Sequence, residues 1–195
     1  LDIPLVNALE ANDYAVYDGK QPLISAVNHS PLTFGGAGLI PADQTWDKPY
    51  SPLFKYSWSK VYPTLLEVAK VNEINPFDGF LMQYSNPLTG GHVMQTMGAA
   101  MQLLPAGFKG KAHKHTGSFV YQCAKGSGYT IINGQRFDWK ERDIFCVPSW
   151  AWHEHHNASD SEDACLFNFN DLPVIEGLGL FQGKEYTENN GHQKV

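Results

Sequence analysis

What most constrains the fold of this chain is a change of texture near residue 97. From there the sequence breaks into short apolar runs, MQLLP, SFVYQC, YTIIN, QRFDW, DIFCV and ACLFNF, separated by turn-forming residues. Runs of this length at this spacing point to the strands of an all-β barrel or sandwich. Asn133-Gly134 lies between Tyr129–Ile132 and Gln135–Trp139. Both residue types tolerate positive φ, so the pair predicts a two-residue hairpin turn.

The first half reads differently. Pro22, Pro31, Pro41, Pro49, Pro52 and Pro63 punctuate it, and Gly35-Gly36-Ala37-Gly38 adds a flexible kink. One helix is expected over Pro63 to Val71, with Pro63 at its first position and Leu65, Val68 and Ala69 sharing a face. The half reads as an irregular arm without a catalytic constellation. With 195 residues, 43% hydrophobic and 17% charged, the chain suits one packed domain with an appendage. A net charge of -6 leaves no basic face for nucleic acid. No apolar run approaches the roughly 18 residues of a membrane span, and the first residues do not read as a secretion signal. Cys123, Cys146 and Cys165 lack CxxC spacing and each sits in an apolar run. Three buried thiols in a reducing cytoplasm are expected.

The chemistry concentrates in five histidines between positions 113 and 156. In a strand, alternation puts His113 and His115 on one face, and does the same for His153 and His155. Two inward imidazoles from one strand and one from another can converge inside a small barrel and hold iron, zinc, copper or nickel. By the same alternation Glu154 and His156 point away and read as surface residues. Trp150, Trp152 and Phe119 read either as barrel core or as the lining of a pocket for a planar molecule.

The spacings around these histidines resemble the two motifs of the cupin family. Gly107, His113, His115, Phe119 and Gly126 stand at the intervals of the first motif, and Arg142, Pro148, Trp150, His153 and Asn157 at those of the second. The resemblance implies a double-stranded β-helix with His113, His115 and His153 as metal ligands. Phe119 replaces the motif glutamate, which leaves three neutral nitrogens. Arg142 and Trp150 replace motif glycines, which suggests different turns at the barrel mouth.

A narrower resemblance rests on NPLTGGHVMQTMGAAMQLLPAGFKGKAHKHTGS, VPSWAWHEHHN and DLPVIEGLGL. These are similar to gentisate 1,2-dioxygenase and its relatives acting on salicylate and 1-hydroxy-2-naphthoate. Those proteins are bicupins that cleave the ring of a hydroxylated aromatic acid with Fe(II) and O2. The resemblance implies a homo-oligomer, a role for His155 in contacting substrate two residues past the last ligand, and a pocket-lining role for Gln102. It also exposes departures. Tyr121 stands where an arginine grips the substrate carboxylate in the catalytic barrel, and Asn168 stands where an acidic residue is expected. Lys109 or Lys111 at the barrel mouth, or the metal ion and Tyr121 acting together, would then have to serve the carboxylate.

Residues 2–9, DIPLVNAL, echo residues 171–178, DLPVIEGL. The opening LDIPLVNALEA is also similar to the junction after the family's first barrel. The expected organisation is therefore a trailing segment of a preceding cupin (1–15), an arm (16–95), a cupin barrel (96–183) and a tail (184–195). On this reading the chain is the second half of a bicupin, either catalytic itself or a supporting barrel beside a catalytic one.

Overall fold

A computed structural model describes residues 29–36, 38–42, 46 and 48–195. The echo segment 1–9 lies outside the described residues. Its counterpart at 171–178 is largely helical (Leu172–Gly177, α3), with Asp171 at its N-cap. Before the barrel come α1 (His29–Phe34) and α2 (Trp58–Val71). The strands follow as β1 (Phe80–Gln83), β2 (Gly98–Leu104), β3 (His113–His115), β4 (Phe119–Lys125) and β5 (Ser127–Ile132). Then come β6 (Gln135–Lys140), β7 (Ile144–Val147), β8 (His153–Asn157), β9 (Ala164–Asn170) and β10 (Gly183–Glu185). They form two antiparallel five-stranded sheets, ordered β1-β2-β9-β4-β7 and β10-β3-β8-β5-β6.

All six apolar runs contribute a strand, and the Asn133-Gly134 turn has φ of 50° and 81° and sets the register Ile132 to Gln135. Alternation explains why β2 and β9 are buried on both faces. Leu104 and Leu166 point between the sheets, into a core with Phe119, Tyr121, Cys123, Trp139, Val147 and Ala164. Met101, Leu103 and Cys165 point outward and are covered by Leu65 of α2.

Several expectations need correction. Helix α2 starts five residues before Pro63, which therefore lies inside it. Pro63 and Ser59 are both exposed, so water can take the Ser59 carbonyl that a missing N–H leaves free. The arm also holds α1 and β1 in its described part, and β1 pairs with β2 as an edge of the first sheet. The tail packs on the barrel: β10 pairs with β3, and Gln193 is buried. Cys146 is exposed rather than buried, on edge strand β7. Arg142 and Trp150 do not change their turns, because they keep a glycine-like backbone with φ of 76° and 64°. Such residues carry a strain of about 1–2 kcal/mol each. Among the described residues no helix is long and apolar enough to cross a membrane.

Candidate metal centre and its pocket

Strands β3 and β8 are neighbours, with His113 opposite His153. That register brings three rings together: 4.3 Å between the centroids of His113 and His153, 4.9 Å for His115 and His153, and 5.4 Å for His113 and His115. One nitrogen of each lies within 4.8 Å of the others. Nδ1 of His115 is 3.1 Å from the Thr116 carbonyl and Nδ1 of His153 is 2.9 Å from the Ala151 carbonyl. A carbonyl only accepts, so both Nδ1 atoms carry the proton and both Nε2 atoms keep a lone pair for a metal. Nε2 of His153 is buried without a hydrogen-bond partner. Burial, then the neighbouring His113, lowers the pKa of both His115 and His153, so both favour the neutral form that ligates.

Beside the histidines is a cavity of about 210 Å³, walled by Asp78, Gln102, His113, His115, Phe119, Tyr121, Asn168 and Phe181 among others. Gln102 stands where expected and donates from Nε2 to Asp78 at 2.9 Å. Asp78 went unrecognised in the sequence. Its Oδ1 is 3.9 Å from His113 Nε2. Asn75 Oδ1 accepts from the backbone N–H groups of Phe77 and Asp78 and so shapes the turn that lifts Asp78 to the mouth. The available signal was the Asn-Pro-Phe-Asp-Gly turn composition, which says nothing of what the turn faces.

His155 is fully buried but lies outside the set that walls the cavity. Its Nδ1 is 2.8 Å from the Thr130 hydroxyl, which also accepts from Trp139 Nε1 at 3.0 Å, and its Nε2 has no partner. Burial, reinforced by His113, pushes its pKa down to about 3, so it is neutral in ordinary conditions. Tyr121 packs 4.7 Å from the His155 ring and is buried, and burial pushes its phenol well above the usual range. Phe119 walls the cavity. Trp150 and Trp152 do neither thing expected of them: they sit around Lys114, whose Nζ lies 4.6 Å from each ring. Lys109 and Lys111 do not line the cavity; the Lys109 backbone pairs with that of His156 beside β8, and Lys111 packs at Gly191. Among the described residues no lysine or arginine lines the cavity. Glu154 and His156 do face away from the histidine cluster, yet they are 1% and 4% exposed, because the last residues of the chain cover them. A wider cleft of about 870 Å³, outside the first sheet near Tyr56, Tyr84 and Phe167, gathers no histidines or carboxylates.

A cupin domain model matches residues 100–169. The chain is 35% identical to 5-aminosalicylate 1,2-dioxygenase of Comamonas sp., over 100% of this chain and 51% of that protein. It is 34% identical to gentisate 1,2 dioxygenase 1 of Aquipseudomonas alcaligenes, over 93% of this chain and 52% of that one. The crystal structure of salicylate 1,2-dioxygenase from Pseudaminobacter salicylatoxidans superposes with a TM-score of 0.72 at 27% identity, covering 80% of this chain and 45% of that chain. The chain spans about half the length of the curated relatives it matches. The two antiparallel sheets and the match over residues 100–169 show a cupin fold, and along almost its whole length the chain is similar to ring-cleaving dioxygenases of the gentisate type, of which it spans about half.

Proposed function

We propose that this barrel binds Fe(II) through His113, His115 and His153 and serves the ring cleavage of a hydroxylated aromatic acid by O2. The observation that carries the reading is the convergence of three imidazole nitrogens within 4.8 Å, two of them freed at Nε2 by backbone carbonyls. The donor set fits the ion, since neutral imidazoles suit iron, and an all-nitrogen set leaves open positions. When bound, such an ion would supply redox-active Lewis acidity toward an oxygen-bearing substrate and dioxygen.

This chain's own residues contribute the rest. Phe119 and Phe181 wall the cavity with flat apolar surface suited to an aromatic ring. A void of about 150 Å³ suffices for benzene, so about 210 Å³ suits one substituted ring better than two fused ones. Gln102 holds Asp78 in place beside His113. His155, neutral and buried behind the cavity wall, supports that wall through its packing on Tyr121 and its bond with Thr130 rather than as a proton donor in the imidazolium form. The cysteines, unpaired in the structure, fit a reducing cytoplasm. Exposed Leu81, Ile144 and Phe181 offer apolar surface for a homo-oligomer or for a preceding barrel of the same protein.

A second reading has its own support. Tyr121 occupies the arginine position, and among the described residues the cavity wall presents the Asp78 carboxylate and no lysine or arginine, with Lys114 and Lys184 only in the adjoining pocket beside His113 and His115. An anionic substrate in the cavity would therefore lack a bidentate cationic grip, which favours a metal-holding barrel that supports a catalytic one. The test is metal analysis of the protein with oxygen uptake on gentisate, salicylate and 1-hydroxy-2-naphthoate. One iron per barrel with uptake that disappears in His113→Ala supports the first reading. Bound iron without uptake, unchanged by Tyr121→Arg, supports the second. Full metal content in His113→Ala would sink both.

A further inference from the structure

We propose that Glu154, His156 and His192 form a second site for a divalent transition cation, on the outer face of β8, that fastens the end of the chain to the barrel. Glu154 and His156 project from the opposite face of the strand to His153 and His155. His192 arrives from the tail, just after a 3-10 turn at Asn189–Gly191. The three residues offer ligand atoms that all lie within 4.8 Å of one another. Glu154 Oε1 is 3.2 Å from His156 Nε2, and Glu154 Oε2 is 3.5 Å from His192 Nδ1. A tetrahedral ion with bonds of about 2.0–2.2 Å sets neighbouring donors roughly 3.3–3.5 Å apart. The two carboxylate-to-imidazole distances lie close to that spacing, and all three donors fall within 4.8 Å of one another.

What points to a ligand is the unmet need of the buried groups. Both ring nitrogens of His156 are buried and neither makes an aligned hydrogen bond, although Nε2 lies 3.2 Å from Glu154 Oε1. Its ring stacks on Tyr129 at 4.6 Å, a contact that engages neither nitrogen. The Glu154 carboxylate is 1% exposed, and its one hydrogen bond is a long one, 3.3 Å from the Gln193 N–H. A buried carboxylate and a buried imidazole with so few aligned hydrogen bonds are unfavourable in a low-dielectric setting. A cation between them satisfies both at once.

The tail is already positioned for this role. Gln193 accepts from the Gly134 N–H at 2.9 Å and donates to the Ile131 carbonyl at 3.0 Å, while the Gly191 carbonyl accepts from Ala112 at 2.7 Å. Gly191 turns at φ of 91°, which brings His192 back over β8. The His192 side chain is 36% exposed, so the site opens to solvent on one side and has room for a water ligand. Two imidazoles and a carboxylate suit zinc as well as iron. The site shares no ligand with the inner histidines.

Zinc stoichiometry of the full chain, stripped with chelator and reloaded, tests the proposal. Wild type is expected to bind one more zinc than His192→Ala. His113→Ala is expected to keep the outer zinc and so to tell the fate of the two sites apart. His192→Cys restores a ligand and is expected to regain the lost equivalent, which separates ligation from a folding defect. Hydrogen exchange supplies a readout independent of the count: zinc should slow exchange of residues 186–195 at least tenfold in wild type and leave it unchanged in His192→Ala. Equal zinc content in wild type and His192→Ala, or tail protection indifferent to zinc, overturns the proposal.

Discussion

Strand β8 buries histidines on both of its faces, but the two faces solve the problem of a buried imidazole in different ways. On the inner face, His153 and His155 have Nδ1 tied to a carbonyl and a hydroxyl, and they share the space with other neutral rings. On the outer face, His156 lies against a carboxylate and is roofed by a segment that arrives 36 residues later in the sequence, as His192. The inner face is finished by neighbouring strands, β3 and β5, and needs no distant segment to cover it. The outer face depends on the tail, so its order rests on whatever holds the tail down. Burial alone therefore does not separate a catalytic histidine from a structural one; the partners of its two nitrogens do.

The sharpest way to break this contrast is to remove an inner ligand. His153→Ala should weaken iron binding at the inner site by more than about 100-fold, since even losing a group that orients a ligand costs roughly 10–100-fold. Glu154→Gln, one residue away on the outer face, should leave inner iron affinity within about threefold. Iron titration of both variants measures the difference, and comparable losses would show that the two faces are not independent.

Next in size is the Thr130 hydroxyl. It serves both His155 Nδ1 and Trp139 Nε1 in a region with no exposure. Thr130→Val fills the same volume but orphans two buried polar atoms, at about 1–3 kcal/mol each. An overall loss of about 2–4 kcal/mol in urea unfolding is expected, with inner iron stoichiometry unchanged. A loss below about 0.5 kcal/mol would mean that water replaces the hydroxyl.

These contrasts also show which parts of the molecule were legible in advance. The apolar runs disclosed the strands whose residues alternate between core and surface, and Asn133-Gly134 disclosed its own turn. Strand β1 was hidden in a segment dominated by prolines and glycines, because its four residues carry too little periodicity to be seen. Strands β3 and β8 are made largely of histidine, and only their motif spacing revealed them. Alternation placed Glu154 and His156 on the correct face, yet the face is a local property and its burial is not. Nothing near residue 154 announces that residues 192 and 193 will cover it. Asp78 was missed for the same reason, since its neighbours Gln102 and His113 are assembled by the fold. Arg142 and Trp150 were misread because a residue's type limits its backbone only as a preference, and packing can override it.

A smaller effect is expected at the tail. Gln193→Ala removes the bonds to Gly134 and Ile131, two ordinary hydrogen bonds worth about 1 kcal/mol each. It should cost about 1–2 kcal/mol by denaturant unfolding and speed exchange in the last residues without changing inner iron. An unchanged tail would leave His192 and Glu154 as its main anchor.

The smallest predicted effect comes from a carboxylate that, unlike Glu154, already has its partners within the protein. Asp163 accepts from Lys125 Nζ at 2.6 Å and from the Tyr62 hydroxyl at 2.8 Å, with both ionic side chains about one quarter exposed or less. Burial alone would push the Asp163 carboxyl up, but the hydrogen bonds from Lys125 and Tyr62, with the Lys125 charge, outweigh it and hold it below the usual range. A folded-state pKa below the unfolded value of about 3.9 makes the unfolded chain bind more protons as the solution is acidified. The stabilisation is thus complete above the unfolded pKa and is lost as pH falls through the folded one. At pH 7, Asp163→Asn should cost about 1 kcal/mol, allowing for partial solvent screening. That difference from wild type should hold to about pH 5 and shrink towards zero as pH drops below 4. Urea unfolding of both proteins between pH 7 and pH 3 decides it. A difference that stays constant to pH 3 would mean that Asp163 stabilises the protein through packing and not through its charge.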